Sequence, residues 1–138
     1  MNEINIIRAK PGHETIMANY FAVNEKHLQP WSPRVPSNYH SVENWKQRLK
    51  ERELEFKRDQ SVHFIGTDKQ ESHVIGSCSI SNIVRGVMQA CHMGYSIAER
   101  YQGQGYMKCI VQFAIKYAFE ELNLHRVMAN HMPANKRS

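Results

Sequence analysis

The chain has 138 residues, a formal net charge of +5, and 41% hydrophobic against 22% charged residues. That length implies one domain with room for a core, the composition is that of a soluble globular protein, and no apolar run approaches the roughly 20 residues of a membrane-spanning helix. Met1-Asn2-Glu3-Ile4 is not expected to open a signal peptide, and the three distant cysteines, Cys78, Cys91 and Cys109, fit reduced thiols in the cytoplasm better than a disulfide framework.

In chain order, Asn5 to Ala9 reads as a first strand, ended by Pro11-Gly12. A helix follows from about His13 to Lys26, with Ile16, Met17, Tyr20, Phe21 and Val23 available to a core. Gln29-Pro30-Trp31-Ser32-Pro33 is a loop, because each proline restricts the residue before it. It presents Trp31 either as a core cap or as the wall of a binding site. Ser41 is a candidate N-cap for a helix to about Arg58, with Val42, Trp45, Leu49 and Phe56 on one side and mixed charge on the other.

Three strands come next. Val62 to Thr67 and His73 to Ser81 flank the polar turn Asp68 to Ser72, which predicts a hairpin. A loop at Asn82 to Gly86 leads to a fourth strand over about Val87 to Ile97, where Gly94 suggests a bulge or a close backbone approach. A helix from Gly105 to Leu122 is ended by Asn123, and its expected apolar face is Met107, Val111, Ala114, Ile115, Ala118 and Leu122. His125 to Met132 reads as a fifth strand. The strand–helix–strand order favours a parallel pair in one sheet.

The chain is organised around Met93 to Lys108, which runs from strand through a polar turn with two glycines into a helix. Amides in a helix's first turn lack partners, and the peptide dipoles leave partial positive charge there. Glycines let an anion approach the backbone. Gly103 to Lys108 therefore reads as a pyrophosphate cradle, with Lys108 adding charge, or as an ordinary connection that needed two glycines. Lys108 stands where a dinucleotide fold would have its third glycine, and no P-loop pattern is present.

Gln102-Gly103-Gln104-Gly105-Tyr106-Met107 instead resembles motif A of the GNAT acetyltransferases, Q/R-x-x-G-x-G/A, with Met107 in place of the small last residue. Residues 27–31, 81–86 and 128–138 are similar to the ribosomal-protein alanine N-acetyltransferases of that superfamily. The resemblance covers nearly the whole chain. It implies an α+β, three-layer GNAT fold, with antiparallel N-terminal strands and a parallel, splayed pair of fourth and fifth strands. That family continues past residue 138 with a helix and at least two more strands. Residues 1–138 are therefore expected to form one C-terminally truncated domain with an open sheet edge, and strand exchange in a homodimer is one way to cover it.

The implied reaction is acetyl transfer from acetyl-CoA to an amine. By resemblance, Tyr95, Ser96 and Ile97 hold the pantetheine arm and polarise the thioester carbonyl. Gln102, Gly103, Gln104, Gly105, Tyr106, Met107 and Lys108 hold the pyrophosphate. Asn135 bonds the pantetheine arm, Ser138 protonates the departing thiolate, and Trp31 lines the acceptor site. Roughly a quarter to a third of free α-amino groups are neutral near pH 7.5, against about one lysine in a thousand, so protein N-terminal acetylation needs little base catalysis. No carboxylate occupies a position that demands the role of general base. Glu99 reads as solvent-facing, and His92 and His131 are candidates that also read as strand histidines. The eight histidines form no metal-ligand spacing, and no metal is expected. The expected acceptor is a ribosomal protein N-terminus in the cytoplasm, with no membrane partner and no direct nucleic-acid contact required. The alternatives are a small amine, such as a polyamine or amino-sugar, and a non-catalytic CoA-binding or ribosome-assembly module.

Overall fold

The computed structural model of the protein describes residues 4–28 and 40–129. Its elements are β1 (Asn5–Arg8), α1 (Glu14–Val23), α2 (Glu25–Leu28), α3 (Val42–Lys57), β2 (Val62–Thr67), β3 (Val74–Val84), β4 (Ala90–Ile97), a 3₁₀ turn (Glu99–Tyr101), α4 (Tyr106–Lys116), a π turn (Tyr117–Glu121) and β5 (Arg126–Ala129). The strands form one sheet in the order β1-β2-β3-β4-β5. All neighbours are antiparallel except β4 and β5, which run parallel.

Alternation along the strands sends apolar side chains to both faces. On one face, Met17 and Tyr20 of α1 and Trp45 and Leu49 of α3 close over Ile65 and Val74. On the other, Ile110 and Ala114 of α4 and Ala118 of the π turn close over Phe64, Cys78, Ile80, Cys91 and Met93. The result is the expected three-layer arrangement with a mixed sheet at its centre. Burial pushes the Cys78 thiol up to about 12, which suits a packing role.

Local chemistry sets the element ends. Ser41, with φ −68° and ψ 159°, accepts the Asn44 N–H through its side chain at 3.2 Å and caps α3. Asn24 breaks the long helix expected over 13–26. Its amide Nδ2 donates to Tyr20 O at 2.8 Å, and α2 starts afresh at Glu25. The helix after the glycine turn ends in the π turn, with Leu122 N–H donating to Tyr117 O at 3.1 Å. Asn123 then takes a left-handed φ of 56° and stops it.

Several expectations are corrected. Val23 and Val42 are exposed, so α1 and α3 bury narrower faces than their apolar content suggested. On α4 the buried row is Tyr106, Ile110 and Ala114, continued by Ala118 of the π turn, while Met107, Val111 and Ile115 flank it. The loop expected at 82–86 is partly strand. β3 continues to Val84 across a register shift between Ser81 and Val84, with Asn82 at φ 50°. β4 therefore starts at Ala90, and Val87 is fully exposed in the turn. Arg85 anchors that turn, donating from Nη2 to Asp59 Oδ1 at 2.8 Å and from Nη1 to the Leu122 carbonyl at 2.5 Å. Gly94 forms no bulge: it pairs with Ser79 in unbroken register. No described atom lies within 4 Å of where its Cβ would be.

Candidate active site

The end of β4 is held by β3. Tyr95, Ser96 and Ile97 pair with Cys78, Ser77 and Gly76 of β3. On the other side, pairing with β5 is described from Ala90↔Arg126 to Met93↔Ala129. Residues 94–97 run beyond that last pair. A strand end can take up an extended, amide-containing ligand by backbone hydrogen bonds.

Past Ile97 the backbone turns sharply. Ala98 N–H donates to Ile75 O at 2.9 Å, and Tyr101 N–H to Ala98 O at 3.0 Å. Tyr101 is fixed by His73, whose Nε2 lies 2.9 Å from the phenol oxygen, and packs edge-on against Tyr106 at 5.6 Å. Gln104 Nε2 donates to Arg100 O at 2.9 Å and closes the turn.

Gly103 (φ 73°) and Gly105 (φ 86°) both adopt left-handed backbone, where a side chain is strained. Both are exposed, as are Gln104 and Lys108. Gly105 caps α4 with no side-chain hydrogen bond, and the first turn holds no acidic residue. The first helical bond is Cys109 N–H to Gly105 O at 3.2 Å. The amides of Tyr106, Met107 and Lys108 thus belong to the first turn of α4, where helical geometry leaves amides without intrahelical partners and with partial positive charge, and Lys108 is exposed in that turn. These features fit a diphosphate, which needs donors, positive charge and freedom from Cβ atoms.

The structure therefore brings Tyr95, Ser96, Ile97 and Gln102 to Lys108 into one strand–turn–helix unit, in which the strand end and the glycine-flanked helix start lie close in sequence. Trp31, His131, Asn135 and Ser138 lie outside the described residues. His92 sits across from Ser81 on β3 and Met128 on β5. Glu99 is exposed on the 3₁₀ turn, and Glu43 is exposed in the first turn of α3. Among the described residues no group of three or more His, Cys, Asp or Glu is placed to hold a metal ion. No described helix is long and apolar enough to cross a membrane.

Sequence reasoning missed a polar row on the α1 and α3 side of the sheet. Tyr20 OH lies 2.7 Å from Ser96 Oγ, which lies 2.8 Å from Ser77 Oγ. Burial raises the Tyr20 phenol well above its ordinary pKa. Next along, Ser79 Oγ lies 2.8 Å from His63 Nδ1. Burial, aided by the Arg52 and Arg48 charges, pushes His63 down to about 3. Its 3.9 Å approach to Glu55 is therefore no ion pair near neutral pH. The signal was present in the sequence: Ser77, Ser79 and Ser81 alternate along β3 and mark one polar face. Beside this row, a cleft of about 440 Å³ is lined by Tyr20 and Asn24 of α1 and by Ala98 to Tyr101.

Comparison with known proteins identifies the fold. The model of the acetyltransferase (GNAT) domain matches residues 6–138. The chain belongs to the GNAT acetyltransferase family. This GNAT chain is 39% identical over 123 residues to the [ribosomal protein uS5]-alanine N-acetyltransferase of Escherichia coli K12, a match covering 88% of this chain and 63% of that protein. It is 31% identical over 112 residues to a probable N-acetyltransferase, YjcK, of Bacillus subtilis 168, covering 81% of this chain and 62% of the relative. The chain thus spans less than two thirds of the length of these curated relatives. The crystal structure of the ribosomal-protein-S5-alanine acetyltransferase from Vibrio fischeri superposes with a TM-score of 0.93 at 36% identity, covering 99% of this chain and 75% of that one. The parallel β4/β5 pair thus belongs to a GNAT domain.

Proposed function

We propose that the chain transfers an acetyl group from acetyl-CoA to the N-terminal α-amino group of a protein in the cytoplasm. The acceptor is a ribosomal protein with N-terminal alanine. The observation that carries this reading is the 39% identity to a uS5-alanine N-acetyltransferase over 88% of the chain. The uncapped, glycine-flanked start of α4 supports it.

Acetyl-CoA supplies the acetyl group as a thioester. The amides of Tyr106, Met107 and Lys108, with Gln102 to Gly105, receive the diphosphate. The β4 end at Tyr95 to Ile97 receives the pantetheine arm, and an N–H there stabilises negative charge developing on the carbonyl oxygen. Asn135 bonds the same arm, Ser138 gives a proton to the leaving thiolate, and Trp31 walls the acceptor site. Strand positions on the α1 side of β3 and β4 carry Ser77, Ser79, Ser81, His92, Gly94 and Ser96, none of them acidic. Burying a polyamine's extra ammonium groups calls for paired carboxylates. A hydroxyl-rich floor suits a neutral α-amine and a peptide backbone better.

The test is calorimetric titration with acetyl-CoA and desulfo-CoA, then mass spectrometry of acetylation on peptides beginning with alanine, on spermidine and on an amino-sugar. Micromolar CoA binding with peptide acetylation is expected. Faster turnover of spermidine or the sugar would move the reading to a small-amine enzyme. Binding without any turnover would leave a CoA-binding module.

A further inference from the structure

Two side chains four residues apart, Tyr20 of α1 and Asn24 at its C-cap, reach the same short stretch of backbone. Tyr20 is 2% exposed and Asn24 5%, so each has lost its water and depends on its protein partners. Tyr20 OH is hydrogen-bonded to Ser96 Oγ at 2.7 Å. Asn24 Oδ1 accepts the Glu99 N–H at 2.9 Å, and its Nδ2 donates to Tyr20 O at 2.8 Å. Ser96 and Glu99 bracket Ile97 and Ala98, where β4 leaves the sheet. From the β3 side the same stretch is held by Ile75 O, which accepts Ala98 N–H at 2.9 Å, and by Ser77 Oγ at 2.8 Å from Ser96 Oγ. A loop that only needed closing would not require two buried polar groups from a helix about 75 residues away. Burying them is favourable only while each bond is made.

The clamp sits where geometry matters most. Upstream and within it are the N–H and C=O groups of Tyr95 and Ile97; downstream are the left-handed glycines and the start of α4. A shift of the pinned stretch moves the strand edge relative to the cradle. A misplacement of about 1 Å at a reacting centre lowers a rate by up to about a hundredfold. Resting on the acetyl-transfer reading above, we infer that Tyr20 and Asn24 are positioning residues. From α1 they fix the β4 backbone that faces the thioester carbonyl.

The test is steady-state kinetics of peptide acetylation beside desulfo-CoA calorimetry for Tyr20→Phe, Asn24→Ala and Asn24→Asp. Tyr20→Phe removes one oxygen and leaves the ring packing. Asn24→Asp keeps an oxygen for the Glu99 N–H, and Tyr20 O retains the Asn24 backbone N–H at 3.1 Å. Tyr20→Phe and Asn24→Ala are expected to lower kcat about tenfold with desulfo-CoA affinity changed less than about twofold, and Asn24→Asp to recover most of that loss. Unchanged kcat, or kcat and affinity falling together with Tm and no rescue by Asp, overturns the inference and leaves acetyl transfer standing. A wild-type chain that acetylates no amine overturns the reading and the inference with it.

Discussion

Ile110 of α4 lies against Gly66 of β2 so closely that a Cβ there would stand 2.7 Å from its Cδ1. The same Cδ1 lies 3.1 Å from a Cβ placed on Gly76 of β3, which would also stand 2.9 Å from the Ser96 carbonyl oxygen. Two adjacent strand glycines thus make a hollow in the sheet, and α4 seats a fully buried isoleucine in it. The contact sets how far the helix, and with it the N-terminus proposed to hold the diphosphate, stands from the sheet.

The two glycines differ in what they meet. At Gly66 the obstacle is the end of a flexible side chain, which can turn away. At Gly76 it includes backbone of β4. Gly76→Ala should therefore destabilise the chain by about 1–3 kcal/mol, and Gly66→Ala by less. Urea unfolding of both variants checks this. Equal midpoints would mean the sheet yields at Gly76 as easily as the side chain does at Gly66.

Gly94 predicts the opposite sign. It lies in regular strand, its φ is outside the left-handed region, and no described atom is within 4 Å of its missing Cβ. Gly94→Ala restricts the unfolded chain and should leave stability unchanged or raised by about 0.4–1 kcal/mol. A fall comparable to that of Gly76→Ala would show that the space above Gly94 is needed by the fold.

This contrast shows what was legible in the sequence. The strand–turn–helix and the parallel fourth and fifth strands follow from local signals, apolar runs and glycines at a helix start, and they stand where expected. Gly94 misled, because a strand glycine suggests a bulge, whereas the register shifts around Asn82, one of the few residue types with a side chain that tolerate positive φ. The Tyr20–Ser96 and Asn24–Glu99 bonds join residues about 75 positions apart, and no periodicity reports such a pairing. The serines of β3 announced a polar face but not its partners. On α4, the rows Met107–Val111–Ile115 and Tyr106–Ile110–Ala114 are both apolar at four-residue spacing, so choosing the buried one required knowing where the glycine hollow lies.

Stability should fall on mild acidification. His63 is held near a pKa of about 3 and His40 near about 4, chiefly by burial, against an ordinary value of 6.5. Below pH ~6.5 the unfolded chain takes up protons that the folded chain refuses, so unfolding is favoured increasingly until the folded pKa values are reached. Above pH ~7 neither group contributes a slope. Thermal unfolding should show a constant Tm from these groups above neutrality and a decline towards pH 5. His63→Gln, which cannot protonate, should flatten that decline; an unaltered slope would mean that His63 is not held neutral.

Ser138 carries the acid role only by resemblance, and its substitution separates acid from ligand. Ser138→Ala should slow peptide acetylation while leaving desulfo-CoA affinity within about twofold. Full activity dismisses the role, and a parallel loss of affinity makes Ser138 a binding residue.

Gly105→Glu tests the cradle itself. At φ 86° a glutamate is strained by roughly 1–2 kcal/mol. Its carboxylate, however, lies at a helix N-terminus that has no acidic residue in its first turn, which returns about 0.3–1 kcal/mol. The variant should therefore stay folded, with Tm lowered by a few degrees. The same carboxylate occupies the position proposed for the diphosphate and repels it. Calorimetry should detect no desulfo-CoA binding to Gly105→Glu and weakened binding to Gly105→Asn, because asparagine tolerates left-handed backbone and adds bulk without charge. Wild-type affinity in the folded glutamate variant would remove the diphosphate from the start of α4.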